Sequence, residues 1–203
     1  MRLFVLSLVS LSLMVGQAIA ELRIDITRGQ VEPMPVAVTD FSGSSERDSF
    51  TGANMSAVIT ADLARSGLFK PIDRKAFIQT AESLNVQPRF ADWRALNAQA
   101  LVQGRTELLP DGSLRVEFRL WDVFASQQMI GQAYTTEPGN WRRVAHIIAD
   151  AIYERITGES GYFDTRIVYI SETGPLNARI KRLAIMDQDG ENHQFLSDGQ
   201  ALV

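Results

Sequence analysis

Between Ala100 and Thr136 the chain carries a pattern that only a strand can use. Leu114, Val116, Phe118 and Leu120 alternate with Arg115, Glu117 and Arg119. A period of two puts the first set on one face of a pleated backbone and the second on the other. Pro110-Asp111-Gly112-Ser113 is a turn sequence, so this strand runs back against the one before it, Ala100 to Leu108. A second reversal near Ala125 to Gln127 leads to a third strand, Met129 to Thr136. The result is an antiparallel meander with one apolar face, which some other element must cover. The cover follows directly in the chain. From Asn140 onward, Val144, Ile147, Ile148, Ala151, Ile152 and Ile156 recur at helical spacing, and Thr157-Gly158 ends the run.

The preceding segment supplies further layers. Pro35 to Phe41 reads as a first core strand and Phe41 to Asp48 as a Ser/Gly loop. A helix follows from near Ser49 to Arg65, with Met55, Val58, Ile59 and Leu63 on one face, and Ser66-Gly67 stops it. Leu68 to Ile72 reads as a short strand and Lys75 to Leu84 as a weaker helix. Trp93 and Leu96 share a face of another short helix. Together these predict a two-layer α/β domain over residues 35–160, a mixed β-sheet with helices packed on it. After Gly161 the texture changes to strands at Arg166 to Ser171 and Lys181 to Met186, a turn at Asp187-Gln188-Asp189-Gly190, and a third strand at His193 to Leu196. Three strands with uncovered apolar faces are poorly stable alone, and residues 161–203 read as the opening of a repeated all-β unit.

The two ends of the domain suggest where the protein works. Met1-Arg2, an apolar run from Leu3 to Val15 and a small-x-small ending at Ala18-Ile19-Ala20 make a secretory signal over residues 1–20, with cleavage between Ala20 and Glu21. The run is shorter than the roughly 20 apolar residues of a spanning helix, and no later stretch is apolar enough to span a bilayer. No cysteine stands at the junction or anywhere else, so the fold relies on a hydrophobic core without disulfides. With 45% hydrophobic residues the chain can build one. A net charge of −4 with scattered signs gives no footprint for nucleic acid, which needs a clustered basic face.

A search for chemistry returns little. No G-x-S-x-G, G-x-G-x-x-G or phosphate-binding loop is present, and no catalytic, cofactor or metal residue is assigned. His146 reads as the edge of its helix's packing face and His193 as a solvated residue past a turn. Asp187-x-Asp189-Gly190 has the look of a calcium loop, but Ile185 and Leu196 stand where carboxylates should be, so an acidic β-turn fits better. Ser42 to Ser45 has no accompanying base. Trp93, Trp121 and Trp141 fall on apolar patterns and read as packing.

Several blocks in this order resemble one family. They are Glu21-Leu22-Arg23-Ile24-Asp25-Ile26, Pro35 to Phe41, Ile59 to Phe69, Asp92 to Leu96, Ala100 to Gly104, Pro110-Asp111-Gly112, Phe163 to Ile170 and Asp187 to Asn192. They resemble the beginning of the mature TolB family, the periplasmic component of Tol-Pal envelope systems. The resemblance implies that residues 161–203 are part of the first blade of a truncated β-propeller. It also implies a non-enzymatic periplasmic hub that links TolA to Pal, maintains outer-membrane integrity and supports envelope constriction at division. Pal would be contacted through the propeller. A TolA-like C-terminal domain would be contacted through the mature N-terminus, here Glu21, Leu22, Arg23, Ile24, Asp25, Ile26 and Thr27 within a segment spanning 21–34. Asp25 is an acidic departure in the alternation. The alternative is the N-terminal part of a propeller-containing periplasmic hydrolase, whose G-x-S-x-G unit would lie downstream.

The residues themselves leave the first segment open between two fates. Leu22, Ile24 and Ile26 alternate with polar residues, and Gly29, Pro33 and Pro35 separate them from the first core strand. Such a segment can add as a strand to a partner's sheet edge or become an edge strand of its own domain.

Overall fold

The computed structural model describes residues 22–24, 32–79, 84, 86–176 and 178–199. The predicted signal sequence and its predicted cleavage point lie outside these residues. Among the described residues a six-stranded mixed sheet organises the domain, in the order β3 (Phe69–Pro71), β1 (Met34–Val38), β4 (Ala100–Leu108), β5 (Leu114–Asp122), β6 (Gln127–Thr136), with the two-residue β2 (Ser42–Gly43) also on β4. β1 pairs in parallel with β3 and with β4. β2 continues beside β4 at Arg105 and Thr106. β4, β5 and β6 form the antiparallel meander that the alternation predicts, with a register shift between Leu120 and Trp121.

Helices α1 (Glu46–Arg65) and α3 (Trp141–Thr157) lie against one face of this sheet. Their Met55, Ile59, Leu63, Val144, Ile148, Ile152 and Ile156 join Val36, Val38, Val102, Val116, Phe118 and Leu120 in one buried core. The α3 stripe differs from expectation at its flanks. Ala145, His146 and Ala149 are buried, whereas Ile147 and Ala151 are only half-buried. The helix stops where Gly158 adopts φ 81°, a left-handed conformation open to glycine, and its N–H bonds the Glu154 carbonyl at 2.8 Å. Close approach explains a second glycine. A Cβ on Gly104 would lie 2.2 Å from the Phe41 ring, so Phe41 can be buried only over a strand residue with no side chain.

Two expectations need correction. The segment read as a loop to Asp48 already contains the first turn of α1, because Ser45 caps that helix. Ser45 Oγ accepts from the Asp48 N–H at 3.1 Å, and donates back to the Asp48 carboxylate at 2.7 Å. Lys75 to Leu84 does not begin as an α-helix. A 3-10 turn at Arg74–Ala76 ends at Phe77 in extended backbone, and residues 80–83 lie outside the described set. Phe77 packs edge-on against Trp93, with ring centroids 5.0 Å apart. That contact belongs to a second cluster on the opposite sheet face. There α2 (Phe90–Ala95) brings Phe90 and Trp93 over Ala37, Leu101, Trp121 and Val123.

Beyond Asp164 a separate antiparallel sheet holds β7 (Arg166–Thr173), β8 (Ile180–Asp187) and β9 (Gln194–Phe195), in that order. Successive residues Ile167 and Val168, which point to opposite faces, are 42% and 57% exposed, so both faces of β7 are open, whereas Ala184 of the central β8 is buried. Among the described residues these strands stand beside the α/β domain and form no closed propeller.

Candidate functional site

The predicted partner-binding segment is described at Leu22, Arg23 and Ile24; Glu21, Asp25, Ile26 and Thr27 fall outside the described residues, as does Ala20. Its alternation is visible even in three residues. Leu22 is half-buried, Arg23 exposed and Ile24 buried at 6% exposure. Ile24 enters the main core beneath α1 and α3, and Leu22 packs on that core's rim. The Ile24 N–H donates to the Ile156 carbonyl at 2.9 Å. Carbonyls in the last turn of a helix have no partner within it, so the segment satisfies an acceptor that α3 leaves open. These three residues dock on a helix end and pair with no described strand.

Arg23 points along the surface past the α3 cap. A Cβ on Gly158 would come within 2.5 Å of its guanidinium. It borders a cleft of about 520 Å³ between α3 and β6, lined by Ile130, Gln132, Ala151, Glu154 and Arg155. On the other side, Arg23 and Ile24 border a groove with Pro33, Pro35, Asn97 and Gln99.

A second constellation lies where α1, α3 and the β8–β9 turn meet. Asp62 of α1 is fully buried. One of its oxygens accepts from Arg65 at 2.9 Å and from Gln188 of the turn at 3.0 Å; the other lies 2.6 Å from His146 Nδ1. Asp189 of the same turn is bonded to Arg142, and its Oδ2 is 3.7 Å from His146 Nε2. Burial pushes the His146 imidazole down, but the hydrogen bond to Asp62 and the charges of Asp62 and Asp189 outweigh it. The net shift is upward. Burial pushes Asp189 up, and its bonds to the Glu191 N–H and Arg142 hold it below the ordinary carboxylate value. Asp62, His146 and Asp189 together offer three ligand atoms within 4.8 Å of one another. These groups already hold one another, however: Asp62 is taken by Arg65, Gln188 and His146 Nδ1, and Arg142 neutralises Asp189. The cluster is an ion-pair junction.

His146 is therefore not the packing-face edge that its apolar neighbours suggest; it is 2% exposed and hydrogen-bonded at depth. A signal for the junction does exist in the chain. Asp62 follows Ile59 by three residues and His146 precedes Ala149 by three, so each charge sits on a helix face that must be buried, and a buried charge needs a partner. Other candidates have structural roles. Ser45 caps α1, and Ser44 bonds Asp48. Trp93 and Trp121 are buried in packing, and Trp141 is half-buried against the core. His193 is exposed, as expected. Asp187 to Gly190 is a turn, with the Gly190 N–H on the Asp187 carbonyl at 2.9 Å.

Comparison with known proteins agrees with this architecture. The model of the TolB amino-terminal domain matches residues 22–129. The Tol-Pal system protein TolB of Paramagnetospirillum magneticum is 62% identical over 184 residues, 91% of this chain and 41% of that protein. The crystal structure of TolB from Acinetobacter baumannii superposes with a TM-score of 0.68 at 25% identity, covering 86% of this chain and 41% of that one. The chain thus spans about two-fifths of the length of the relatives it matches. It belongs to the TolB family of Tol-Pal system proteins, and its α/β domain is the amino-terminal domain of that family.

Proposed function

We propose that this chain is the exported, non-enzymatic, amino-terminal part of a periplasmic adaptor that reaches a TolA-like C-terminal domain through Glu21 to Thr27. In this reading residues 161–203 open the first propeller blade, and later blades carry the contact to Pal. The whole protein then couples inner-membrane and outer-membrane partners, maintaining the outer membrane and supporting constriction at division.

The observation that carries the reading is the way Leu22–Ile24 is held. Among the described residues it is attached to α3 by the Ile24–Ile156 backbone hydrogen bond, with the Ile24 side chain buried and Leu22 on the rim of the core, and it pairs with no described strand. A strand-like segment held so lightly can leave its own domain and add to a partner's sheet edge, where main-chain bonds give affinity and Leu22, Ile24 and Ile26 give specificity. Release costs about 1.5–3 kcal/mol for re-exposing Ile24, which partner binding must exceed. The exposed apolar residues Ile167, Val168, Ile170 and Leu183 of β7 and β8 support the blade reading, since stacked blades cover such residues. A synthetic peptide of Glu21 to Thr27 should compete with the full chain for a TolA C-terminal domain in a fluorescence titration. Absence of competition at saturating peptide would count against the segment as the epitope.

A further inference from the structure

We propose that His146 is a pH-dependent latch that fastens the β8–β9 turn to the α/β domain, tight when both ring nitrogens carry protons and loosened when one proton is lost. The imidazole stands between two carboxylates from different parts of the fold, Asp62 of α1 at 2.6 Å from Nδ1 and Asp189 of the turn at 3.7 Å from Nε2. Nε2 is buried and has no hydrogen bond. A doubly protonated ring makes sense of that nitrogen, because its N–H then faces a carboxylate in a long ion pair. In the neutral ring Nδ1–H still serves Asp62, and Nε2 turns a lone pair toward Asp189. Loss of the proton therefore removes the attraction to the turn, while the α1–α3 contact weakens but keeps its Nδ1–H bond to Asp62.

The other charges around the ring fit this partition. Arg65 of α1 pairs with Asp62, and Tyr162 lies within the fields of both. On α3, Arg142 pairs with Asp189 and opposes the imidazolium. From the tail, Gln188 bonds Asp62, and Asp187 lines the same cleft as His146. Through that cleft, about 240 Å³ and also bordered by Arg143, Asp164 and Asn192, solvent reaches the ring's surroundings and can carry the proton. The chain between the units is pinned as far as Asp164, because Asp150 accepts from the N–H groups of Phe163 at 2.7 Å and Asp164 at 3.0 Å. Loosening therefore pivots at Thr165, whose carbonyl takes the Gln188 N–H. The raised imidazole pKa sets the sign. Docking stabilisation is fully present while the ring is doubly protonated and is lost as pH rises through the docked value.

The test is hydrogen exchange by mass spectrometry on the full chain between about pH 6 and pH 9, corrected for the intrinsic rate, with the His146 ring followed by NMR. Protection of residues 180–195 should fall severalfold as the ring titrates, while that of α3 falls less. His146→Gln and, independently, Asp189→Asn should each abolish the pH dependence; the second is nearly isosteric, lies on the β8–β9 turn outside the α/β core, and keeps the test valid if the first does not fold. The proposal is overturned if protection of 180–195 does not change with pH, if either folded variant keeps the same dependence, or if α3 loses protection in step with the turn.

Discussion

Ile148 has no exposed surface and lies in the core that α1 and α3 share with Val116 and Phe118. Truncating it removes three carbons from a close-packed interior, and the neighbours can relax only partly. Ile148→Ala should destabilise the domain by about 2–5 kcal/mol, read from chemical denaturation; an unchanged midpoint would mean that the α3 stripe does not carry the core. At this scale the apolar positions were legible, because burial of Ile148, Ile152 and Ile156 follows from helical spacing alone. His146 was not. Its partner Asp62 is 84 positions away, and no local window contains both residues. Its flanking Ala145 and Ile147 suggested only a packing role. Asp62 itself sits between apolar neighbours of a buried stripe, and a charge there requires a partner.

Among the elements, the meander and the two long helices were the most legible, since each rests on a period sustained over several turns or pleats. Short elements failed where contacts outside the segment decide. The start of α1 depends on a reciprocal bond between Ser45 and Asp48, and the expected helix at Lys75 gives way where Phe77 turns to meet Trp93. The strands after Thr165 were found near their observed positions, yet the docking of their turn on Asp62 and Arg142 was not foreseen. That docking fixes one end of the small sheet, while Ile167, Val168 and Ile170 of β7 remain exposed. Amides of β7 and β9 should therefore exchange faster than those of β4 and β5, which lie inside the large sheet. NMR-detected exchange would check this, and equal protection in both sheets would mean that the small sheet has a cover of its own.

For the whole molecule, the family relationship and the α/β architecture agree, and the proposed function turns on whether the first segment can exchange its own domain for a partner. Its alternation was legible in Leu22 and Ile24. Its docking on the Ile156 carbonyl was not, because an open acceptor at a helix end leaves no trace in the residues that will fill it. The docked state sets what removal of the segment should do. With Ile24 buried, deleting Glu21 to Thr27 should lower stability by about 1.5–3 kcal/mol, leaving the large sheet and its two helices to unfold cooperatively. The most direct measurement is isothermal titration calorimetry of a TolA C-terminal domain into the full chain and into this deletion, alongside thermal unfolding of both. The account predicts heat of binding with the full chain and none with the folded deletion variant. Undiminished affinity of the deletion variant would contradict it.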